Sequence, residues 1–556
     1  MIKKYIKICL LSLALVSMSS CNDFIDLDPQ SEWKLEDFYE TSSQIEVAFA
    51  GMYGNLRGSN LFGSGLSMEM AYGTDEGSYN RAYDELWRVS LNLHNSMDND
   101  IAGAWKSLYT IIHNANNMIT YTDPVNFEDE EYKNIIGEAR FLRAFCHMTL
   151  TYWWNEIPLR DKPTTDQSSN DIEVSSLEDI YDFIIADFEY ACSNLPHVTS
   201  ENYLAGRAHQ MAAHGMLARL YLKMAGYPHK NTEGFAKALA HCDTIMMEDG
   251  YHQLRTSADS LGYENLFRNM IGGDQYDLEE NMFEITFTNN LDIGMGTMGS
   301  NGVNNGLLFG EMDGVNHPTT RQFFVQASPL FNILHLEEDK RKLWNVPAMS
   351  RLETGNNVRV KGPLSWAYAP GKFRRWEPAD YADLDIWKAD QPYVLLTNET
   401  NISINQSPIN FPILRYADIL LMYAEAANEV NGGPTGEAIA ALNQVRQRAG
   451  LEIIELGEPE ALGGKDAFFN ELVDERFREF AFEGIRKHDL IRWELYEEKL
   501  QTYASAIEGE PDYDEFNHAH YLRSVRNFDI NKHLSLPYPF QEVTINKLLD
   551  QKPEWN

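Results

Sequence analysis

The sequence predicts a mostly α-helical protein interrupted by one loop-rich insertion with a few strands. Three observations predict it. Apolar residues recur every three or four positions from Thr41 to about Met247, and the same spacing returns from Phe411 onward. Between them, about 250 to 410, the chain is rich in Gly, Asn and aromatics and lacks extended helical periodicity. The chain has 556 residues, 44% of them hydrophobic, and 46 Lys+Arg stand against 83 Asp+Glu for a net charge of −37. A chain this acidic cannot keep the basic face that phosphate neutralisation needs, so nucleic acid is excluded as a partner.

In chain order, residues 1–20 are expected to be an export signal: Lys3, Lys4 and Lys7 precede the apolar stretch Ile8 to Met18, which is too short to span a bilayer. The pair Ser19-Ser20 is followed by Cys21, the arrangement of a bacterial lipobox in which the cysteine is acylated. Acyl chains at about 0.8 kcal/mol per buried CH₂ would tether an otherwise soluble protein to a membrane. Losing the three signal lysines takes the net charge to −40. Cys146, Cys192 and Cys242 remain; they are odd in number, sit in helical patterns and form no C-x-x-C pair, so core thiols are expected rather than a disulfide framework or a zinc site.

Thr41 and Gln44 make a capping box before the stripe Ile45, Ala48, Phe49, Met52, Leu56, and Ser175 with Glu178 repeats it before Ile180, Ile184, Phe188, Ala191 and Leu195. Between them run Trp105, Leu108, Ile112, Ile119 and Ala139, Leu142, Cys146, Leu150, Trp153, and helical stretches follow near 207–225 and 233–247. Helices resume at Phe411. Ile413, Ala417, Leu420, Ala424, Ala427 form one stripe and Tyr416, Ile419, Tyr423, Ala426 a second, so this helix is buried on two sides, as in stacked helix pairs. Its partner begins near Thr435 and ends at Gly450, in the place of a C-cap.

Motifs with chemistry are few. Gly294-x-Gly296-x-x-Gly299 follows the strand-like run Met282 to Thr288, but it leads into Ser300 to Gly306, a poor helix former, so a flexible surface loop is expected instead of a dinucleotide fingerprint. His209 and His214 share no helix face and His518 with His520 lacks a nearby motif acid, so no metal-ligating set is read. Asp474 to Gly484 is dense in charge and aromatics. With Glu475 and Arg478 three apart and Glu483 and Lys487 four apart, a buried or half-buried ion network is expected there.

These residues and others bring a family into view. Arg415 to Ala426, Asn443 to Gly450, Glu475-Arg476 to Gly484 and Asp489 to Trp493, together with Gly51-Met52-Tyr53, Trp105 to Asn116, Gly137 to Ala144 and the closing Leu536 to Glu542, Asn546 and Gln551, resemble the SusD/RagB family of outer-membrane lipoproteins. The order is the family's from Cys21 to Trp555, with Tyr538 and Lys552 as local departures. The resemblance implies a single domain, 21–556, built on about four tetratricopeptide-like helix pairs: an N-terminal helical part 21–250, an irregular insertion 251–410 contributing to the ligand site, and a C-terminal helical part 411–556. It implies no enzyme and no cofactor. It further implies a cell-surface glycan-binding lipoprotein, anchored in the outer membrane through Cys21, that passes oligosaccharide to a SusC-like TonB-dependent transporter. A peptide-binding RagB-like receptor and a secreted glycoside hydrolase are the alternatives.

The family's ligand residues are held in no motif here, so the site is argued from physics. A sugar offers flat C–H faces ringed by hydroxyls, which asks for exposed aromatic platforms beside planar hydrogen-bonding groups. Two irregular stretches qualify: Tyr72 and Asp75 to Trp87, with Tyr79, Asn80, Arg81, Tyr83 and Trp87 as candidates, and the insertion, with Asn290, Trp366 and Tyr368 as candidates and Asn289, Arg375 and Trp376 beside them.

Overall fold

The structure, a computed structural model, describes residues 38–166, 168–259, 261–273, 276–288, 298–307, 324–347, 349–353, 357–360, 368–378, 393–397, 405–454 and 464–556. Thr41 and Gln44 cap helix α1, Ser42–Leu56, reciprocally: the Gln44 N–H donates to the Thr41 hydroxyl and the Gln44 side chain accepts from the Thr41 N–H at 2.9 Å. The loop after α1 holds the short strand β1, Gly77–Tyr79. Then come α2, Asn99–Tyr121; α3, Asp129–Trp154; α4, Leu177–Asn194; α5, Gln210–Ala225; and α6, Glu233–Asp243, which runs on as a wider π turn over Thr244–Asp249. The cap of α4 falls one residue later than its spacing predicts. Ser176, not Ser175, accepts from the Asp179 N–H at 3.2 Å, while the Ser175 N–H is occupied by the Ile157 carbonyl.

The insertion contains α7, Gly262–Gly272, a helix the sequence reading missed although Tyr263, Leu266, Phe267, Met270 and Ile271 form its buried stripe. Strands β2, Asn281–Ile285, and β3, Val325–Ala327, are followed by short helices α8, Leu330–Leu334, and α9, Arg341–Asn345, and by strands β4, Met349–Glu353; β5, Asn357–Val360; β6, Trp376–Pro378; β7, Tyr393–Leu395; and β8, Phe411–Arg415. They pair antiparallel in twos: β1 with β3, β2 with β8, β4 with β5, β6 with β7. Helix therefore does not resume at Phe411. The short apolar run Phe411 to Leu414 cannot be told from helix by periodicity, and here β2 supplies its ladder. The segment 300–307, expected as a flexible surface loop, is buried except at Ser300: the Asn301 amide donates to the Asn410 carbonyl at 3.1 Å, Asn305 donates to Asn301 at 2.9 Å, and the Gly302 N–H donates to Asn305 at 2.7 Å. Asparagine side chains satisfy this backbone without helix or sheet. Gly302 is required there, since its φ is +73° and a Cβ would stand 2.3 Å from the Phe373 carbonyl oxygen.

After β8 come α10, Tyr416–Asn431; α11, Gly436–Arg448; α12, Lys465–Glu479; α13, Arg486–Arg492; α14, Tyr496–Glu508; α15, Glu515–His518; α16, Arg523–Arg526; and α17, Phe540–Ile545. Helices α1 to α6 each pack on the next, and α10 packs on α6 and on α11, giving four helix pairs, α1–α2, α3–α4, α5–α6 and α10–α11, in one stack. Every residue of α10 from Tyr416 to Asn428 is buried, as its two stripes require. Polar ties between helices come from the motif residues: Glu138 takes a bidentate pair from Arg207 at 2.6 Å and Asp187 one from Arg143 at 2.7 and 2.9 Å. Cys146, Cys192 and Cys242 are free and buried. The C-terminus straps back over α3: the Leu536 N–H donates to the Trp153 carbonyl at 2.8 Å and Lys552 Nζ donates to the carbonyls of Trp154 and Leu536 at 2.6 and 2.8 Å. The Tyr538 hydroxyl donates to the Glu156 carbonyl at 2.9 Å, so both departures from the family pattern serve this strap.

Candidate ligand-binding surface

A second apolar cluster lies beneath the insertion and joins three distant stretches: Tyr72, Tyr79 and Trp87; Phe331, Trp344 and Phe373; and Phe477 with Tyr503. Pairing of β1 with β3 starts the assembly, aligning Tyr79 with Val325, and the Asn80 N–H then donates to the Phe324 carbonyl at 2.8 Å. Tyr79 stacks on Phe324 at 5.8 Å and leans on Trp87 at 5.3 Å, while Trp87 stacks on Tyr72 at 6.1 Å. The Arg81 guanidinium caps this box, 4.7 Å from the centre of the Phe324 ring. The Ala327 N–H and the Gln326 amide both donate to the Tyr368 carbonyl, at 3.0 and 2.6 Å. Thus β3 brings together two candidate stretches nearly three hundred positions apart in the chain.

The C-terminal helices clamp the same loop. Arg523 on α16 donates to the carbonyls of Arg81 and Asp84 at 3.3 and 2.9 Å and to the Glu85 carboxylate at 2.9 Å. Tyr503 donates to Ser78 at 2.7 Å, Tyr496 to the Gly73 carbonyl at 2.8 Å, and the Tyr79 hydroxyl to Asp84. Gly73 allows close passage: its φ is +86° and a Cβ would lie 2.1 Å from the Ser90 carbonyl oxygen. Asp75 is bound by Arg486 at 2.7 and 2.9 Å, and burial pushes the neighbouring Glu76 carboxyl up to about 8 against the pull of Arg486.

The structure sorts the candidates. Tyr79 and Trp87 are 0% and 3% exposed and show no face to solvent, so they brace the loop instead of offering platforms; Tyr72, Asp75, Arg375 and Trp376 are buried as well. Asn80, Arg81 and Tyr368 are half-buried, and Tyr83 is fully exposed at 102%. Asn289, Asn290 and Trp366 lie outside the described residues. Sequence reasoning missed Phe516 on α15, which is 93% exposed and belongs to the same C-terminal clamp through the Arg526–Glu515 pair at 2.7 and 2.8 Å. An aromatic at position 516 among Asp514, Glu515 and Asn517, outside any apolar stripe, was the available signal. Elsewhere among the described residues, a mainly apolar cavity of about 110 Å³ lined by Phe62, Phe145, Met216 and Phe411 is small beside the roughly 300–1,000 Å³ of ordinary ligand pockets, and two more polar clefts, beside Arg207 and beside Tyr496, measure about 460 and 600 Å³.

The charged run 474–484 is structural and deeply buried. Glu479 accepts from Arg341, Arg415 and Arg448; Glu280 from Arg415 and Arg448; Glu483 from Arg415 and Lys372; Glu475 from Arg341 and Arg478; Asp339 from Arg341; and Glu471 from Arg478 and Arg446. Acids and bases in this set are equal in number. Burial works against ionising Glu479, but Arg448, Arg415 and Arg341 outweigh it and hold the carboxyl near 2; Arg341 and Arg478 hold Glu475 at about 2 in the same way. The Glu475–Arg478 pair matches the spacing, at 2.8 Å. Glu483 does not pair with Lys487. It binds Lys372 at 2.6 Å and Arg415 at 2.8 Å, while Lys487 lies over the rings of Trp153 and Tyr496 and is pushed down to about 8 by burial.

Comparison with known proteins follows this division of the chain. A family model described as "SusD family" matches residues 391–555, and one described as "Starch-binding associating with outer membrane" matches residues 23–222. SusD-like protein P2 of Formosa agariphila is 26% identical over 560 residues, covering 98% of this chain and 98% of its own. A SusD-like protein of Bacteroides ovatus is 24% identical over 594 residues, covering 98% and 97%. Among solved structures, a SusD homolog from Bacteroides thetaiotaomicron superposes with a TM-score of 0.79 at 23% identity, covering 94% of this chain and 98% of that one. The structure of a laminarin-binding SusD-like protein superposes at 0.67 with 21% identity, covering 93% and 100%.

Proposed function

Since the chain belongs to the SusD family, we propose that it is a non-catalytic glycan-binding lipoprotein of the outer membrane, anchored through Cys21, that holds oligosaccharide at the surface formed by the 80–86 loop and passes it to a SusC-like TonB-dependent transporter. One observation carries the site: Tyr83 stands fully exposed on a loop immobilised from below by aromatic packing and from the side by Arg523. An exposed aromatic that needs no further ordering keeps most of its stacking energy. Covering about 80 Å² of apolar surface yields about 2 kcal/mol at 25 cal/mol/Å². Phe516 is the proposed second face, Asn80 and Arg81 adjoin the first along the chain, and Tyr368, Asn290 and Trp366 complete the proposed set. The laminarin-binding relative and a relative solved with a xylogluco-oligosaccharide support a carbohydrate ligand over a peptide.

Affinity electrophoresis in gels containing laminarin, xyloglucan or starch tests this. Retardation by one of them is expected, with about thirtyfold weaker binding in Tyr83→Ala and little dependence on salt, because the platforms are uncharged. Unchanged retardation in Tyr83→Ala and Phe516→Ala would place the ligand elsewhere. New reducing ends after incubation with the same glycans would replace the binding reading with a hydrolase. Cys21→Ser is expected to release the protein from the membrane fraction, and a SusC-like transporter is expected to co-purify with the wild type.

A further inference from the structure

The helix stack and the start of the insertion meet at a cluster that glycan binding does not use. His197 follows α4, Asp249 closes the π turn after α6, and His252 opens the insertion three residues later. His197 Nε2 lies 2.5 Å from one Asp249 carboxylate oxygen and His252 Nδ1 lies 2.8 Å from the other. One ligand atom from each residue falls within a common span of 4.8 Å. Asp249 and His252 side chains are fully buried, and His197 is 25% exposed, leaving one edge open to solvent.

We propose that His197 Nε2, Asp249 and His252 Nδ1 bind a zinc ion, with water as the fourth ligand on the exposed edge of His197. Two imidazoles and one carboxylate are a zinc donor set; calcium and magnesium prefer oxygen alone. Tetrahedral bonds of about 2.0–2.1 Å separate ligand atoms by roughly 3.3 Å, so each histidine nitrogen needs to move from its Asp249 oxygen by less than about 1 Å, and three atoms that lie within 4.8 Å of one another need to gather round one centre.

Proton balance permits it. Each imidazole stays neutral and moves its proton to its outer nitrogen. For His197 that is Nδ1, 2.7 Å from the Thr199 hydroxyl oxygen, which would accept it as an outer partner of a metal ligand, at the cost of the 3.3 Å bond that the Thr199 N–H donates to the same nitrogen. For His252 it is Nε2, which has no hydrogen-bond partner among the described residues, so placing the proton there breaks no bond. Beneath it the His209 ring lies parallel at 5.4 Å and fixes the plane of the His252 ring. Bound zinc would tie the segment after α4 to the entry of the insertion, a role independent of any glycan.

The untagged full-length mature protein, stripped with chelator and dialysed, is titrated with zinc chloride by calorimetry and metal analysis. One zinc per chain is expected, with a raised melting temperature, and cobalt in its place should give the intense visible bands of a four-coordinate site. His197→Ala removes a half-exposed loop side chain, and circular dichroism checks that it folds. Removing even an outer partner of a metal ligand weakens sites about 10–100-fold, so loss of a direct ligand should weaken zinc by at least tenfold and abolish the thermal shift. Asp249→Asn is the second variant, and it should lose the cobalt bands. Failure of the wild type to take up stoichiometric zinc, or equal uptake by His197→Ala, overturns the proposal. Retained glycan binding in that variant separates this site from the proposed carbohydrate surface.

Discussion

The helix stack and the seam where the insertion meets α12 are held together by different physics. In the stack each helix packs on its neighbour through buried apolar stripes, and α10 is buried along its length by residues such as Ala417, Leu420 and Ala424. At the seam, beside apolar contacts such as Phe331 on Phe477 at 4.5 Å, ion pairs join residues far apart in sequence: Arg341 with Glu475, separated by 134 positions, Arg415 with Glu280, by 135, and Lys372 with Glu483, by 111. Apart from α7, the insertion has little regular structure and no long stripe to bury. Directional, bidentate pairs can fix its orientation where an apolar surface would let it slide. The difference teaches that one chain can use non-directional burial to stack its helices and charge pairing to seat an irregular insertion on them.

The largest test of that contrast is Arg415→Ala. It leaves Glu280, Glu479 and Glu483 short of a buried partner and is expected to cost about 3–5 kcal/mol in urea unfolding, with protease cleavage appearing first inside 250–410. Leu420→Ala in the stack should cost about 3 kcal/mol through a cavity, with cleavage spread over the whole chain. Were both variants to show the same cleavage pattern, the two regions would not be distinct. Acid comes next. Glu475 and Glu479 have folded pKa values of about 2, below the ordinary carboxylate value, so their contribution is complete above about pH 4.5 and is lost as pH falls toward 2. Melting temperatures across that window should fall more steeply for the wild type than for Glu479→Gln. Thr41→Ala removes the α1 cap and should cost about 1 kcal/mol, seen in denaturation without a change in protease pattern. The smallest stability effect belongs to Tyr83→Ala, within about 0.5 kcal/mol, because its side chain packs on nothing.

Legibility in the sequence followed the same division. The stack was readable because its stripes, the Thr41 cap and the Thr435 cap are local signals, and the structure has them in place. Helix α7 was missed in a region read as irregular from its glycines and asparagines, although Tyr263, Leu266, Phe267 and Met270 have the required spacing. Glu475 with Arg478 was visible because both lie on one helix; the partner of Glu483 was not, because Lys372 reaches it only through the folded insertion. Exposure at the proposed surface was not legible: aromatic density pointed to the loop that carries it, but the residues of greatest bulk there, Trp87 and Tyr79, are those that burial claims, and exposure singles out Tyr83.

Because α10 packs against α6, the chain leaves the stack and returns to it at nearly one place, with β2 and β8 paired at the mouth. Lengthening such an excursion costs little, about 0.6 kcal/mol of closure entropy for each doubling. The excursion is therefore open to exchange between scaffolds, on a condition set by charge. A replacement lacking counterparts of Arg341 and Lys372 would leave Glu475 to Arg478 and Glu483 to Arg415, and one lacking Glu280 would leave Arg448 to Glu479 and Arg415 to Glu479 and Glu483, each short of one buried partner. What can be transplanted is a cassette with its own counter-ions, and the buried charges of α12 act as the key that admits it.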